Sequence, residues 1–152
     1  MEKDKGIEVL NSLIEINNDR IKGYETAINE TEEIDIKTLF SQFVKTSHWC
    51  KSELVNEVEK LGGTPTEETT TSGKLFRVWM DFKSSVTGND REAILNSCEY
   101  GESVASETYN DVLSDNLESL THEQQGMVRA QYMLLKSDYE KVKELILIVE
   151  EK

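Results

Sequence analysis

GGTPTEETTTSGKLFRVWMDFKSSVT, residues 62–87, is the one long connection in a chain otherwise patterned as helix. Its first half, Gly62-Gly63-Thr64-Pro65 through Thr71, holds the single proline and five threonines, a composition that predicts an exposed, extended linker. Its second half differs. Leu75, Phe76, Trp79, Met80, Phe82 and Val86 are spaced as a short amphipathic helix over about 74–86, which needs an apolar surface to lie on. Two readings follow: a crossover helix packed across the body of the protein or in a dimer contact, and a helix for docking a partner.

On either side of this stretch, apolar residues repeat at intervals of three and four. From Ile7 to about Glu33 they fall at Leu10, Leu13, Ile14, Ile21, Tyr24 and Ile28, with Asn17 on the same stripe. A second set, Ile36, Leu39, Phe40, Phe43, Ser47, Cys50, Leu54 and Leu61, spans 35–61 and ends at Gly62-Gly63, where a helix C-terminus tolerates positive φ. A third helix over 90–113 starts from an Asn89 or Asp90 N-cap and carries Ala93, Ile94, Cys98, Gly101, Ala105, Tyr109 and Val112. The fourth, over 122–150, is capped by Thr121 with Glu123 and Gln124 in its first turn, and carries Val128, Gln131, Leu135, Tyr139, Val142 and Ile146. Short breaks make each pair an antiparallel hairpin. A connection as long as 62–87 can travel the length of the body, so helix two runs parallel to helix three. That is the connectivity of ferritin-like bundles rather than of up-down-up-down ones. The expected fold is all-α: a ferritin-like four-helix bundle, with a long crossover carrying a short extra helix between helices two and three.

Composition narrows the function classes. The 152 residues suit one domain, 1–152, with one core. Seventeen Lys and Arg against thirty Asp and Glu leave a formal charge of −13, which repels phosphate backbones and anionic lipid, so nucleic acid and membrane are not expected partners. Neither a spanning segment nor a secretory signal is read, and a cytoplasmic location is expected. Cys50 and Cys98 are too few for a disulfide framework, and counting residues along the helices places them roughly 10 Å apart along the axis, beyond disulfide reach. The phosphate-loop, dinucleotide, GxSxG and HExxH patterns do not occur.

The segment Trp79-Met80-Asp81-Phe82-Lys83-Ser84-Ser85-Val86-Thr87-Gly88-Asn89-Asp90, continuing through Ala93-Ile94-Leu95 to Cys98-Glu99-Tyr100-Gly101-Glu102, resembles a bacterial family of ferritin-like four-helix-bundle proteins catalogued as a domain of unknown function. Leu10-Asn11-Ser12-Leu13-Ile14-Glu15, Asn17-Asn18-Asp19 and Gly23-Tyr24-Glu25 look like that family's first helix, and Leu61-Gly62-Gly63-Thr64-Pro65 like its exit from helix two. The likeness covers about residues 7–113. It implies a ferritin-like fold and brings no activity with it.

Carboxylate-bridged di-iron bundles place a Glu on each of two helices and a Glu-x-x-His pair on each of the other two. No Glu-x-x-His occurs here, and the two histidines are His48 and His122. Counting at about 1.5 Å per residue sets Glu25 opposite Gln42 and Phe43, and brings Glu99 and Glu102 to nearly the same height, so Glu25, Glu99 and Glu102 are the candidate metal ligands. Gln42, Thr46 and Gln131 stand where further ligands are needed, which argues against a working di-iron oxidase. The plainer reading leaves these acids hydrogen-bonded or solvated at the edge of the stripe. If buried without a metal, they must protonate or pair with Arg20 or Lys45. Asn17 reads as a polar contact that fixes register within the core. No cofactor is required by the sequence, though a divalent metal such as iron has a place. The expectation is a non-enzymatic binding or assembly protein forming a homo-oligomer, a dimer, and the alternative is a metal-binding oxidase or iron-handling protein.

Overall fold

Four long helices carry the residues that the computed structural model describes, 2–69 and 91–150. They are α1 (Glu2–Glu30), α2 (Ile34–Lys60), α3 (Arg91–Asp115) and α4 (His122–Glu150), with a short 3-10 turn at Leu117–Ser119 before α4. The described residues contain no strand. The short helix expected over 74–86, and the Asn89 or Asp90 cap, lie outside the described residues.

Helix α1 begins earlier than apolar spacing alone indicates. Glu2-Lys3-Asp4-Lys5 adds a polar turn of good helix formers that periodicity cannot register, and Lys5 pairs with Glu8 at 3.8 Å. It ends three residues early, because the Thr31 hydroxyl accepts the Glu33 N–H at 3.2 Å and turns the chain. The far end of α2 closes as expected: Gly62 takes φ +82°, while the Gly63 and Gly62 N–H groups bond the Val58 and Glu59 carbonyls at 3.0 Å each. Gly63 must stay small, since a Cβ there would lie 2.8 Å from the Ile7 side chain. At α4 the Thr121 hydroxyl accepts the Gln124 N–H at 3.1 Å and the Gln124 side chain accepts the Thr121 N–H at 3.0 Å, a complete capping box.

Hydrogen bonds between helices set their directions. Tyr24 and Arg20 of α1 meet Cys98 and Glu102 of α3 in reverse order, and Gln131 and Gln124 of α4 meet Glu53 and Glu57 of α2 likewise. Arg91, the first residue of α3, bonds Glu33 and Asp35 at the start of α2, with Nη2 to Asp35 at 2.7 Å. Both helices therefore start at the same end, and α2 runs parallel to α3. After α2 the chain is tied along α1, where Asn11 donates to the Thr64 carbonyl at 3.2 Å and Asn18 to the Glu68 carbonyl at 2.9 Å.

The core is in two parts. One gathers Leu10, Leu13, Leu54, Val58, Tyr109 and Val128, and the other Tyr24, Ile36, Phe40, Phe43, Leu95 and Val142. In the second, the Tyr24 ring lies 5.0 Å from Phe40 and 5.2 Å from Phe43, within the range of favourable aromatic pairs. Between the two apolar halves sits a layer of buried polar side chains.

Candidate functional site

That layer is centred on Arg20, which stands on the inner stripe of α1 between Asn17 and Tyr24 and is fully buried. Each of its three nitrogens has an acceptor. Nε and Nη2 donate to Glu102 Oε1 of α3 at 3.0 and 2.8 Å, Nη1 to Ser47 Oγ of α2 at 2.6 Å, and Nη2 to Asp138 Oδ2 of α4 at 3.1 Å. One guanidinium thus reaches all four helices. The Tyr24 hydroxyl also donates to Glu102 Oε1 and lies 3.1 Å from the Cys98 sulfur. The Tyr24 and Phe43 rings stand 5.4 and 5.9 Å from the guanidinium carbon, within cation–π range.

The electrostatics follow from burial. Desolvation alone would lower the pKa of Arg20, but the charges of Glu102 and Asp138 outweigh it and the guanidinium is held protonated. One cation faces two carboxyl groups. Desolvation pushes Asp138 up to about 6 against the pull of Arg20, and Glu102 adds to the rise. Desolvation likewise pushes the Tyr24 hydroxyl and the Cys98 thiol well above their usual values, and the Cys50 thiol up to about 12. Both cysteines are free and buried, with thiols too basic to act as nucleophiles near neutral pH.

Further along the bundle lies a second chain of polar contacts, neutral except for Glu53 at its end. Asn17 donates to the Leu13 carbonyl and to the Tyr109 hydroxyl, both at 2.9 Å, Tyr109 donates to Gln131 Oε1 at 2.6 Å, and Gln131 donates to the Cys50 carbonyl and to Glu53, both at 3.1 Å. It joins α1, α3, α4 and α2 in turn. Asn17 makes the cross-helix polar contact its place on the stripe predicts.

A family model described as "Domain of unknown function (DUF2383)" matches residues 5–115. The chain belongs to this family. Its description assigns no activity, and no curated protein matches the chain. The matched span includes Arg20, Ser47 and Glu102 and stops short of Asp138.

The three glutamates proposed as ligands do not come together. Glu102 is fully buried and already bonded to Arg20, Glu99 is partly exposed, and Glu25 faces solvent. Tyr24 points inward, so Glu25, turned by about 100° around the helix, points out. His48 and His122 are exposed. Among the described residues no group of three or more His, Cys, Asp and Glu side chains can hold a metal ion. The layer does not fit a metal pair, because both of its inward carboxyl groups, Glu102 and Asp138, are bonded to the Arg20 guanidinium.

Sequence reasoning anticipated pairing with Arg20 but missed Asp138. Its signal was present: Asp138 lies between Leu135 and Val142 on the inward stripe of α4, where an acid has no place without a buried partner.

Proposed function

We propose that the chain is a ferritin-like helical bundle without redox chemistry, a cytoplasmic binding or assembly protein that works as a homo-oligomer, a dimer. The observation that carries this reading is the fully buried Arg20 guanidinium on Glu102, Asp138 and Ser47, which supplies inside the bundle the positive charge that a metal supplies elsewhere. The parallel course of α2 and α3 supports the ferritin-like connectivity. Side chains such as Trp49 and Met133, each 62% exposed, with Leu147 and Ile148 on α4, offer apolar surface for association. No described helix is long and apolar enough to cross a membrane.

Elemental analysis of protein purified without chelators, oxygen uptake on adding ferrous iron, and light scattering test the proposal together. Substoichiometric metal, oxygen uptake at the background rate and a dimer mass are expected. Stoichiometric iron with oxygen uptake abolished by Glu102→Ala would restore the iron-handling alternative, and a monomer at all concentrations would remove the assembly role.

A further inference from the structure

We infer that the central layer of the bundle is a guanidinium cradle, a binding site for a planar monocation that Arg20 fills with its own side chain and that a free guanidinium ion fills once that side chain is cut back. The inference rests on the reading above only in placing a side-chain cation where other bundles of this connectivity place a metal.

Three features select a guanidinium over other cations. Its acceptors are spread around a plane rather than converging on a point: Ser47 Oγ, Glu102 Oε1 and Asp138 Oδ2 come from three helices and lie 2.6–3.1 Å from the different guanidinium nitrogens. A divalent ion such as calcium or magnesium needs six or more oxygens within about 2.6 Å of one centre, which these groups do not supply. The walls next to the plane are the Tyr24 and Phe43 rings, 5.4 and 5.9 Å from the guanidinium carbon, and aromatic faces favour a weakly hydrated, delocalised cation. Among the described residues Glu102 Oε2 is a buried oxygen without a donor, so the cradle keeps a spare acceptor for the one additional N–H of an untethered guanidinium. Lysine fails the first of these: its compact ammonium is a point charge and not a fork of donors spread in a plane.

The test is chemical complementation of full-length Arg20→Ala. Its melting temperature is followed by circular dichroism in guanidinium chloride and methylguanidinium chloride at about 1–50 mM, well below denaturing levels. Urea serves as the neutral isostere, sodium chloride as the ionic-strength control, and cobalt(II) as a metal with a visible spectrum. The expected result is a rise that grows with the logarithm of guanidinium concentration and reaches about 3–5 °C at roughly tenfold excess over its Kd, no rise with urea or sodium chloride, and no response of the wild-type protein. Equal effects of guanidinium and urea, or tighter binding of cobalt than of guanidinium, would overturn the cradle while leaving the metal-free reading of the wild-type chain intact. If Arg20→Ala does not fold, Arg20→Ala with Asp138→Asn removes one of the two buried anions. Recovery of helical signal for either variant only in guanidinium supports the inference. Absence of any guanidinium response in both, folded or not, overturns it.

Discussion

Asp138→Asn perturbs one of the two acids that meet Arg20, and its effect can be worked out with its sign. The ordinary value for this group is 3.8, and burial raises it to about 6 in the folded chain. A rise of about two units corresponds to about 3 kcal/mol, at 1.36 kcal/mol per unit. Because the folded value lies above the unfolded one, the folded chain binds the extra proton, and stability must fall with rising pH. The contribution is complete below pH 3.8, declines as the unfolded chain ionises first, and is gone once pH passes about 6. Asparagine carries no charge in either state, and its Oδ1 can still accept from Arg20 Nη2. Urea unfolding of both proteins at pH 4.5, 5.5, 6.5 and 7.5 and constant ionic strength isolates the term, since titrations of groups away from the central layer cancel in the difference. Because the unfolded chain is already largely ionised at pH 4.5, about a third of the term is spent there, and the variant is expected to gain about a further 2 kcal/mol on wild type between pH 4.5 and neutral pH. A flat difference across this window, or a variant that loses ground as pH rises, would refute the account of a cation facing one acid too many.

Glu102→Ala should cost about 3–5 kcal/mol by the same unfolding assay at pH 7, because it strips the main partner from a fully buried guanidinium. Glu25→Ala should change stability by less than about 0.5 kcal/mol, since that side chain faces solvent; a large loss would restore it to the interior. Thr121→Ala should cost about 1 kcal/mol by removing one arm of the capping box at α4, read as a shift in the urea midpoint with unchanged slope.

Spacing of apolar residues made the four helices legible, and turn chemistry made several of their ends legible. Gly62 and Thr121 behave as their residue types dictate because both act through the local backbone. Where sequence reasoning lost ground was rotation. Counting along an axis fixes the height of Glu25, Glu99 and Glu102, but a single position of error around the helix exchanges core for solvent, and Glu25 falls on the wrong side of that line. Asp138 escaped notice for another reason. An acid among thirty looks like surface until its partner is known, and that partner lies 118 residues away on α1. The start of α1 was invisible because a charged turn has no apolar period to display.

The charges of the central layer are divided between the two hairpins: Arg20 belongs to α1 and α2, and both acids belong to α3 and α4. Neither hairpin can dehydrate its own charge alone, since within the first Arg20 meets the neutral Ser47 and two aromatic rings but no anion that it bonds, and within the second Glu102 and Asp138 repel each other. Docking of the halves is thereby made all-or-none. The same complementarity would also accept a second hairpin from a neighbouring chain, so exchange of whole hairpins between copies is the assembly error, or the assembly route, that this interior leaves open.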